Sequence, residues 1–307
     1  MQGSLFYAKI LLFGEYGIIK DSMGLSIPYK SYQGSFVFDD SIESKRSNEN
    51  LSLFFKYLAE INKKADFPAR FNLDLLSDDL DRGMSFQSSI PQGYGVGSSG
   101  ALVAAIYEKY AINKIYPDNI VRGDVVRLRS IFGKMESFFH GKSSGTDPLI
   151  CYLKIPLLIK PKGNISTVGI PEDNSKKGTV FLVNSGIPGD TQPMVNIFLE
   201  KYKKNSFKKA LTKFISYNDA CISSFLDGDT RGLFKNIKEL SLWVFKHLNL
   251  MIPSNVHKIW REGIETDTYY LKLCGSGGGG FILGFTQEIE STRKMLKDYE
   301  LEIVCNI

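Results

Sequence analysis

A chain of 307 residues exceeds the usual single domain, so two domains with separate cores are expected. With 43% hydrophobic and 23% charged residues it has the composition of an ordinary globular protein, and Lys9 and Lys154 break its longest apolar runs well short of the roughly 18 residues of a membrane-spanning helix. The net charge of +5 is too mild to imply nucleic acid, and no secretory signal is legible, so a cytoplasmic protein with neither a nucleic-acid nor a membrane partner is expected.

The opening "SLFYAKILLFGEYGII" reads as two strands about a turn marked by Gly14 and Gly17, and "SYQGSFVFDD" as another strand. Leu51, Phe54, Phe55 and Leu58 repeat at helical spacing in "ENLSLFFKYLAEINKK". "ARFNLDLLS" and "GMSFQSSIP" alternate like a pair of strands, the second leading into the glycine loop "PQGYGVGSSGA" and an alanine-rich helix. In "DVVRLRSIFGKMESFFHG" an apolar stripe through Leu128, Ile131, Phe132, Met135, Phe138 and Phe139 predicts a second helix. "SSGTDPLI" reads as a loop closed by proline and "CYLKIPLLIK" as a strand. The polar "GIPEDNSKKG" is the best boundary, dividing 1–175 from 176–307.

Beyond it "TVFLVNSG" predicts a strand, and two or three helices follow between Met194 and about Lys246. Within them Lys201, Lys204 and Lys208 share a helical face that reads as solvated. "YLKLCGSGGGGFILGF" predicts strand, glycine turn, strand. Strands and helices of mixed order, without regular βαβ alternation or repeats, argue for two α+β domains. The cysteines Cys151, Cys221, Cys274 and Cys305 are scattered, without metal-ligand spacing, so reduced buried thiols are expected and a zinc site is not.

Three glycine patterns suggest phosphate chemistry. Gly95, Gly97 and Gly100 satisfy G-x-G-x-x-G, but the segment that follows the helix is not the strand with an acidic end that a dinucleotide fold needs. Gly275, Gly277 and Gly280 also match and run into the strand-like "FILGF" instead of a helix. "GKS" at 141–143 has the tail of a P-loop, whose first glycine is replaced by Glu136. What survives is a glycine- and serine-rich turn before a helix, which can cradle an anion on backbone N–H groups. The residues alone leave open that Ser98 or Ser99 merely caps a core helix.

"AKILLFGEYGIIK", "PQGYGVGSSGA", "MESFFHGKSSGTD" and "KLCGSGGGGFIL" resemble, in order, the motifs of the GHMP kinases. "NSGIPGDTQPMV" and "FKHLNLMIPSNVHKI" resemble segments of its mevalonate branch. The resemblance implies a two-domain α+β fold, with an N-terminal domain like ribosomal S5 domain 2, a ferredoxin-like C-terminal domain and an active site between them. It implies transfer of a phosphoryl group from ATP to the 5-hydroxyl of mevalonate with Mg²⁺, a homodimer being left open. By the same resemblance Gly93, Gly95, Gly97, Ser98, Ser99, Gly100, Gly277 and Gly278 bind ATP. Glu136 with the Ser99 hydroxyl holds Mg²⁺, a hard cation suited to such oxygens. Asp147 is the base and Lys9 its neighbour, while Glu15, Tyr16, Ser144, Gly145 and Thr191 lie near the substrate.

Flanking the apolar stripe, Glu136 is expected to stay partly solvated at the edge of a cleft; taken singly, Lys9 could snorkel from an edge strand, Asp147 could be a turn residue before Pro148, and Glu136 could be a helix-edge residue paired with Arg129. The three histidines, His140, His247 and His257, have no partner spacing and are assigned no site role. The chain departs from the family pattern at Tyr7-Ala8, at Tyr16 in place of a histidine and at Gly100 in place of an alanine. Those departures keep other acceptors in play. Phosphomevalonate is one, for which Lys20 and Lys142 are the nearby cations, and homoserine another; a non-catalytic relative that senses a nucleotide or metabolite is the rival from a different class.

Overall fold

The computed structural model describes residues 4–39, 41–171 and 178–307. The first strand, β1 (Phe6–Phe13), is buried along both faces except at Tyr7 and Leu11, so a lysine in its middle has to find a partner inside. No strand follows at Gly17. Gly14, at φ 114°, and Tyr16, at φ 60°, turn the chain into a short 3₁₀ helix, Gly17–Lys20. β2 (Gly24–Phe38) then runs 15 residues and absorbs the strand expected at its far end. In α1 (Ile42–Asn62) Ser41 caps the start by accepting from Ser44 N, and Leu51, Phe54 and Leu58 are buried.

"ARFNLDLLS" departs from expectation, because only β3 (Arg70–Phe71) is extended. Asn72 accepts a hydrogen bond from Leu75 N and starts α2 (Leu73–Asp81), which buries Leu76 and Leu80 at helical spacing. A strong cap has overridden the alternating pattern. β4 (Met84–Ser88) pairs antiparallel with β2, Phe86 opposite Phe36. There follow α3 (Ser98–Tyr110), β5 (Ala111–Ile112) on β3, and α4 (Arg122–His140). The α4 stripe is buried through Leu128, Ile131, Phe132 and Met135 and frays at Phe139, which is exposed although it stacks on Phe54.

"TDPLICYL" is not a loop but α5 (Thr146–Leu153). Pro148 stands in its first turn, where its missing N–H has no intrahelical acceptor to lose. β6 (Leu157–Ile159) pairs with the start of β2, and β7 (Ile165–Thr167) pairs with β6. The first sheet has the order β1-β2-β6-β7, with β4 also on β2.

After β8 (Thr179–Asn184) come α6 (Thr191–Tyr202), α7 (Asn205–Leu226), α8 (Thr230–His247) and α9 (His257–Thr266). β9 (Tyr269–Leu273), β10 (Phe281–Thr286), α10 (Ile289–Met295) and β11 (Leu301–Asn306) complete the chain. The second sheet is antiparallel in the order β11-β8-β10-β9, the arrangement of a ferredoxin-like domain. β9 and β10 are buried along their whole length, which is why their sequences run apolar instead of alternating.

By internal packing the chain forms two compact units. One takes the chain through Lys9, then Pro28–Pro91 and Gly97–Ile155; the other takes Ile10–Ile27, Gln92–Val96 and Pro156–Ile307. The boundary expected at 175/176 lies outside the described residues. In the first unit the small residues Ala101, Ala104 and Ala105 of α3 are fully buried and let neighbouring helices approach closely. Each fully buried Leu, Ile, Phe or Met there contributes about 1.5–3 kcal/mol. None of the four cysteines is in a disulfide. Among the described residues no helix is long and apolar enough to cross a membrane.

Candidate active site

In the first unit the start of α3, the last turns of α4 and the start of α5 surround Lys9. Its ammonium lies 2.8 Å from Asp147 Oδ2, and the lysine side chain is 4% exposed against 42% for the aspartate. The lysine is therefore anchored inside while the carboxylate keeps an open side. Asp147 stands in the first turn of α5, where the helix dipole favours negative charge. Gly145, the residue before that turn, has φ 71°, and a Cβ there would lie 2.1 Å from Arg129 O.

Two further glycines shape this pair. A Cβ on Gly97 (φ 84°) would stand 2.8 Å from Lys9 Cγ, so the lysine stem lies directly on the loop backbone. A Cβ on Gly100 would stand 3.0 Å from both Asp147 C and Pro148 N. Glycine at 100 lets the starts of α3 and α5 converge at the aspartate, a physical reason for the departure from alanine. Gly97 offers no side-chain cap, so the first-turn N–H groups of α3 are not claimed by one; Ser98, half-buried, begins the helix.

Glu136 is not the partly solvated residue expected of it. It is 4% exposed, and both of its oxygens receive hydroxyl donors: Ser99 Oγ donates to Oε1 at 3.0 Å and Ser143 Oγ to Oε2. Ser143 is held in turn by the Gly145 N–H, which donates to its Oγ at 3.0 Å. Arg129, the partner weighed for Glu136, sends its Nε to Ser144 O at 3.0 Å. Burial, reinforced by the Asp147 charge, raises the Glu136 carboxyl to about 7, against the opposing pull of the two hydroxyls and Lys9. Nε2 of His140 lies 3.0 Å from Ser99 Oγ, and burial lowers that imidazole's pKa.

Among the described residues no group of three or more His, Cys, Asp or Glu is placed to hold a metal. The donors present are one buried carboxylate and hydroxyls. That set fits a cation of the Mg²⁺ kind, which keeps several waters and is held jointly by substrate phosphates.

In the second unit the remaining glycines pack closely against backbone and, at Gly278, a side chain. Gly93 and Gly95 have φ 78° and 77°; Gly189 N donates to Gly93 O at 2.8 Å, and a Cβ on Gly95 would lie 2.4 Å from Cys274 O. Gly277 faces Met251 O and Gly278 faces the Met194 side chain, with Gly278 N donating to Met251 O at 2.7 Å. A Cβ on Gly275 would stand 3.1 Å from Gly95 Cα, one on Gly277 2.6 Å from Met251 O and one on Gly280 2.4 Å from Tyr94 Cα, so the second G-x-G-x-x-G match has a packing explanation.

Thr191 opens α6 and accepts from Ser276 Oγ at 3.3 Å. Glu15 is buried in an ion pair with Lys272, 2.5 Å apart. Tyr16 is buried as well, its hydroxyl donating to Ser276 O at 2.5 Å. Ser144, in the first unit, is exposed and donates to Thr146 Oγ1 at 3.1 Å. Of the two cations weighed for a phosphorylated acceptor, Lys20 sits 3.7 Å over the Tyr202 ring and Lys142 is exposed.

Residues 55–154, which include Ser98, Ser99, Gly100, Glu136 and Asp147, match the family model described as GHMP kinases N terminal domain. The fold is that of the GHMP kinases. At 18% identity the mevalonate kinase of Methanococcus jannaschii superposes with a TM-score of 0.63 over 99% of this chain and 98% of its own. The phosphomevalonate kinase of Streptococcus pneumoniae, in complex with phosphomevalonate and AMPPNP, superposes at 0.66 with 14% identity over 99% and 100%. The galactokinase of Lactococcus lactis, complexed with galactose, gives 0.62 at 10% identity over 99% and 93%. No curated protein sequence matches at a significant level.

Within this GHMP kinase fold the structure gathers Lys9, Gly97, Ser99, Gly100, Glu136 and Asp147 in one unit, while Glu15, Tyr16, Gly93, Gly95, Thr191, Gly277 and Gly278 belong to the other. Sequence reasoning missed Ser143, His140 and Lys272. His140 and Ser143 lie inside the quoted "HGKSSG", and helical spacing from Glu136 to His140 was the available signal. Lys272, like Lys9, is a lysine inside an apolar run, "YYLKLC".

Proposed function

We propose that the protein is an ATP- and Mg²⁺-dependent kinase of small alcohols, with the 5-hydroxyl of mevalonate as the acceptor and 5-phosphomevalonate and ADP as products. The observation that carries this reading is the contact between a buried lysine and a half-exposed aspartate at the start of α5, beside a glycine-shaped helix start. Asp147 takes the proton from the acceptor hydroxyl, and its exposed side leaves room for that hydroxyl. Lys9, 2.8 Å from Asp147 Oδ2, holds the carboxylate in position, and its charge offsets the alkoxide that forms. The first-turn N–H groups of α3 and the glycine backbone receive phosphate oxygens. Glu136 and the Ser99 hydroxyl are the residues that would hold Mg²⁺, which when bound supplies charge neutralisation at the phosphates.

The choice of mevalonate rests on the segments "NSGIPGDTQPMV" and "FKHLNLMIPSNVHKI". The fold does not make that choice, because kinases of mevalonate, phosphomevalonate and galactose superpose with similar scores. A non-catalytic sensor has no use for the Lys9–Asp147 pair. Asp147→Asn tests the reading: it should keep the fold and ATP affinity while losing roughly 10²–10⁴ in turnover, the range of a general base. Near-normal turnover in that variant would leave the reaction without its base and favour the turn-residue alternative.

A further inference from the structure

The chemistry proposed above gives His140 no part, although its ring touches the oxygen-donor site. His140 is the last residue of α4, one helical turn beyond Glu136 and on the same face, at the surface of the first unit. Its Nε2 stands 3.0 Å from Ser99 Oγ, and that oxygen lies 3.0 Å from Glu136 Oε1. One hydroxyl thus sits between an imidazole nitrogen and a buried carboxylate, and all three residues belong to the same compact unit.

A hydroxyl has a single hydrogen and two lone pairs, so Ser99 can donate to only one of these neighbours. The buried carboxylate, which cannot turn to water, has the stronger claim on it. Its other oxygen is already supplied by Ser143 Oγ, and the Ser99 hydrogen completes the set. Ser99 Oγ is then left to accept, and a neutral imidazole at that distance carries its proton on Nε2. The hydroxyl is fixed from both sides.

Coordination of Ser99 Oγ and Glu136 Oε1 to a cation uses the lone pairs that now serve these bonds, and the hydroxyl hydrogen loses its carboxylate acceptor. Among the described residues the other partner of Ser99 Oγ is His140 Nε2. A ring at the surface exchanges protons with water: one leaves Nε2, one joins Nδ1, and the charge is unchanged. Nε2 then accepts where it had donated.

We propose that His140 is a positioning residue for the cation site, holding the Ser99 hydroxyl by donation from Nε2 in the metal-free protein and by acceptance at Nε2 when Mg²⁺ is bound. The inference rests on the reading that Ser99 and Glu136 hold Mg²⁺.

Two-bond ¹H–¹⁵N spectra of histidine-labelled protein at about pH 8, where an imidazole is ordinarily neutral, read the tautomer directly. His140→Gln, which loses the signal, assigns it. The metal-free protein should show His140 as the Nε2–H tautomer, and Mg²⁺ with the non-hydrolysable analogue AMPPNP should convert it to Nδ1–H. Calorimetry then gives the factor by which Mg²⁺ tightens AMPPNP binding, from titrations with Mg²⁺ and with EDTA. His140→Phe should cut that factor about fivefold, the scale of one hydrogen bond, while leaving affinity in EDTA unchanged. His140→Gln, whose amide can donate or accept, should largely restore it. A merely structural role would move both affinities together. An Nδ1–H tautomer without metal, a tautomer that ignores Mg²⁺, or a wild-type factor in His140→Phe overturns the inference, and the wild-type spectra decide even if His140→Phe does not fold. Glu136→Gln separates the two readings: it should abolish the Mg²⁺ factor, and a factor that survives it contradicts the metal assignment itself.

Discussion

Gly97 has two duties that the sequence presented as one. On the proposed reading it leaves room for a phosphate in the loop, and in the structure its missing Cβ is also what seats the Lys9 stem, 2.8 Å from where that atom would stand. Gly97→Ala should therefore reduce turnover as well as nucleotide affinity. Titration with a fluorescent ATP analogue beside steady-state rates checks this, and loss of affinity alone would mean that Lys9 does not depend on the loop. Lys9→Met should act on the same step as Asp147→Asn, and the double variant should be little worse than the worse single one. At Glu136 the carboxyl is raised to about 7 from the ordinary 4.5. A carboxyl that holds its proton more tightly folded than unfolded contributes stability below about 4.5 that is lost as pH rises through about 7. The metal-free protein should accordingly melt at lower temperature at pH 8 than at pH 6, and Glu136→Gln should flatten that slope. If Glu136 holds Mg²⁺ as proposed, the ion competes with the same proton, and its apparent affinity should rise with pH over the same range. Thermal melts and Mg²⁺ titrations across pH 5.5–8.5 test both statements; an unchanged slope in Glu136→Gln would place the titrating group elsewhere.

Among the elements, α1 and α4 were legible because their apolar residues repeat at helical spacing and each is long, and α3 because it is alanine-rich after the glycine turn. β8, β9 and β10 were legible as apolar runs bounded by glycine or polar turns. α2 and α5 were not, for opposite reasons. α2 is set by a single cap, Asn72, inside an alternating stretch, whereas α5 hides behind Pro148, which reads as a breaker unless the helix is known to start two residues earlier. The fold around the site thus followed from spacing. Glu136's burial and the Ser143 and His140 contacts did not, because they depend on how α4 is rotated against α3 and α5. The glycines give a test at this scale. Gly145→Ala meets a left-handed φ and backbone atoms as near as 2.1 Å, so it should destabilise by about 1–3 kcal/mol from the strained backbone alone, with the clash adding to it. Gly123→Ala, in the first turns of α4 with nothing within 4 Å, should stabilise by about 0.5–1 kcal/mol. Denaturant midpoints of the two variants check the contrast, and equal effects would show that the backbone around Gly145 yields.

For the whole molecule, the first unit gathers Lys9, Asp147 and Glu136 around two convergent helix starts, and the second unit carries the Glu15–Tyr16 turn tied to β9 by Lys272. Both are built on a fold shared by kinases whose acceptors differ, so the acceptor has to be read from side chains and measured. The most direct measurement of the central claim is ADP release by the purified protein with ATP, Mg²⁺ and a panel of mevalonate, phosphomevalonate, homoserine and galactose. Release should depend on the acceptor, with mevalonate giving the highest kcat/KM. A clear preference for another member of the panel would contradict the acceptor assignment, and no acceptor-dependent release with any member would contradict the kinase itself.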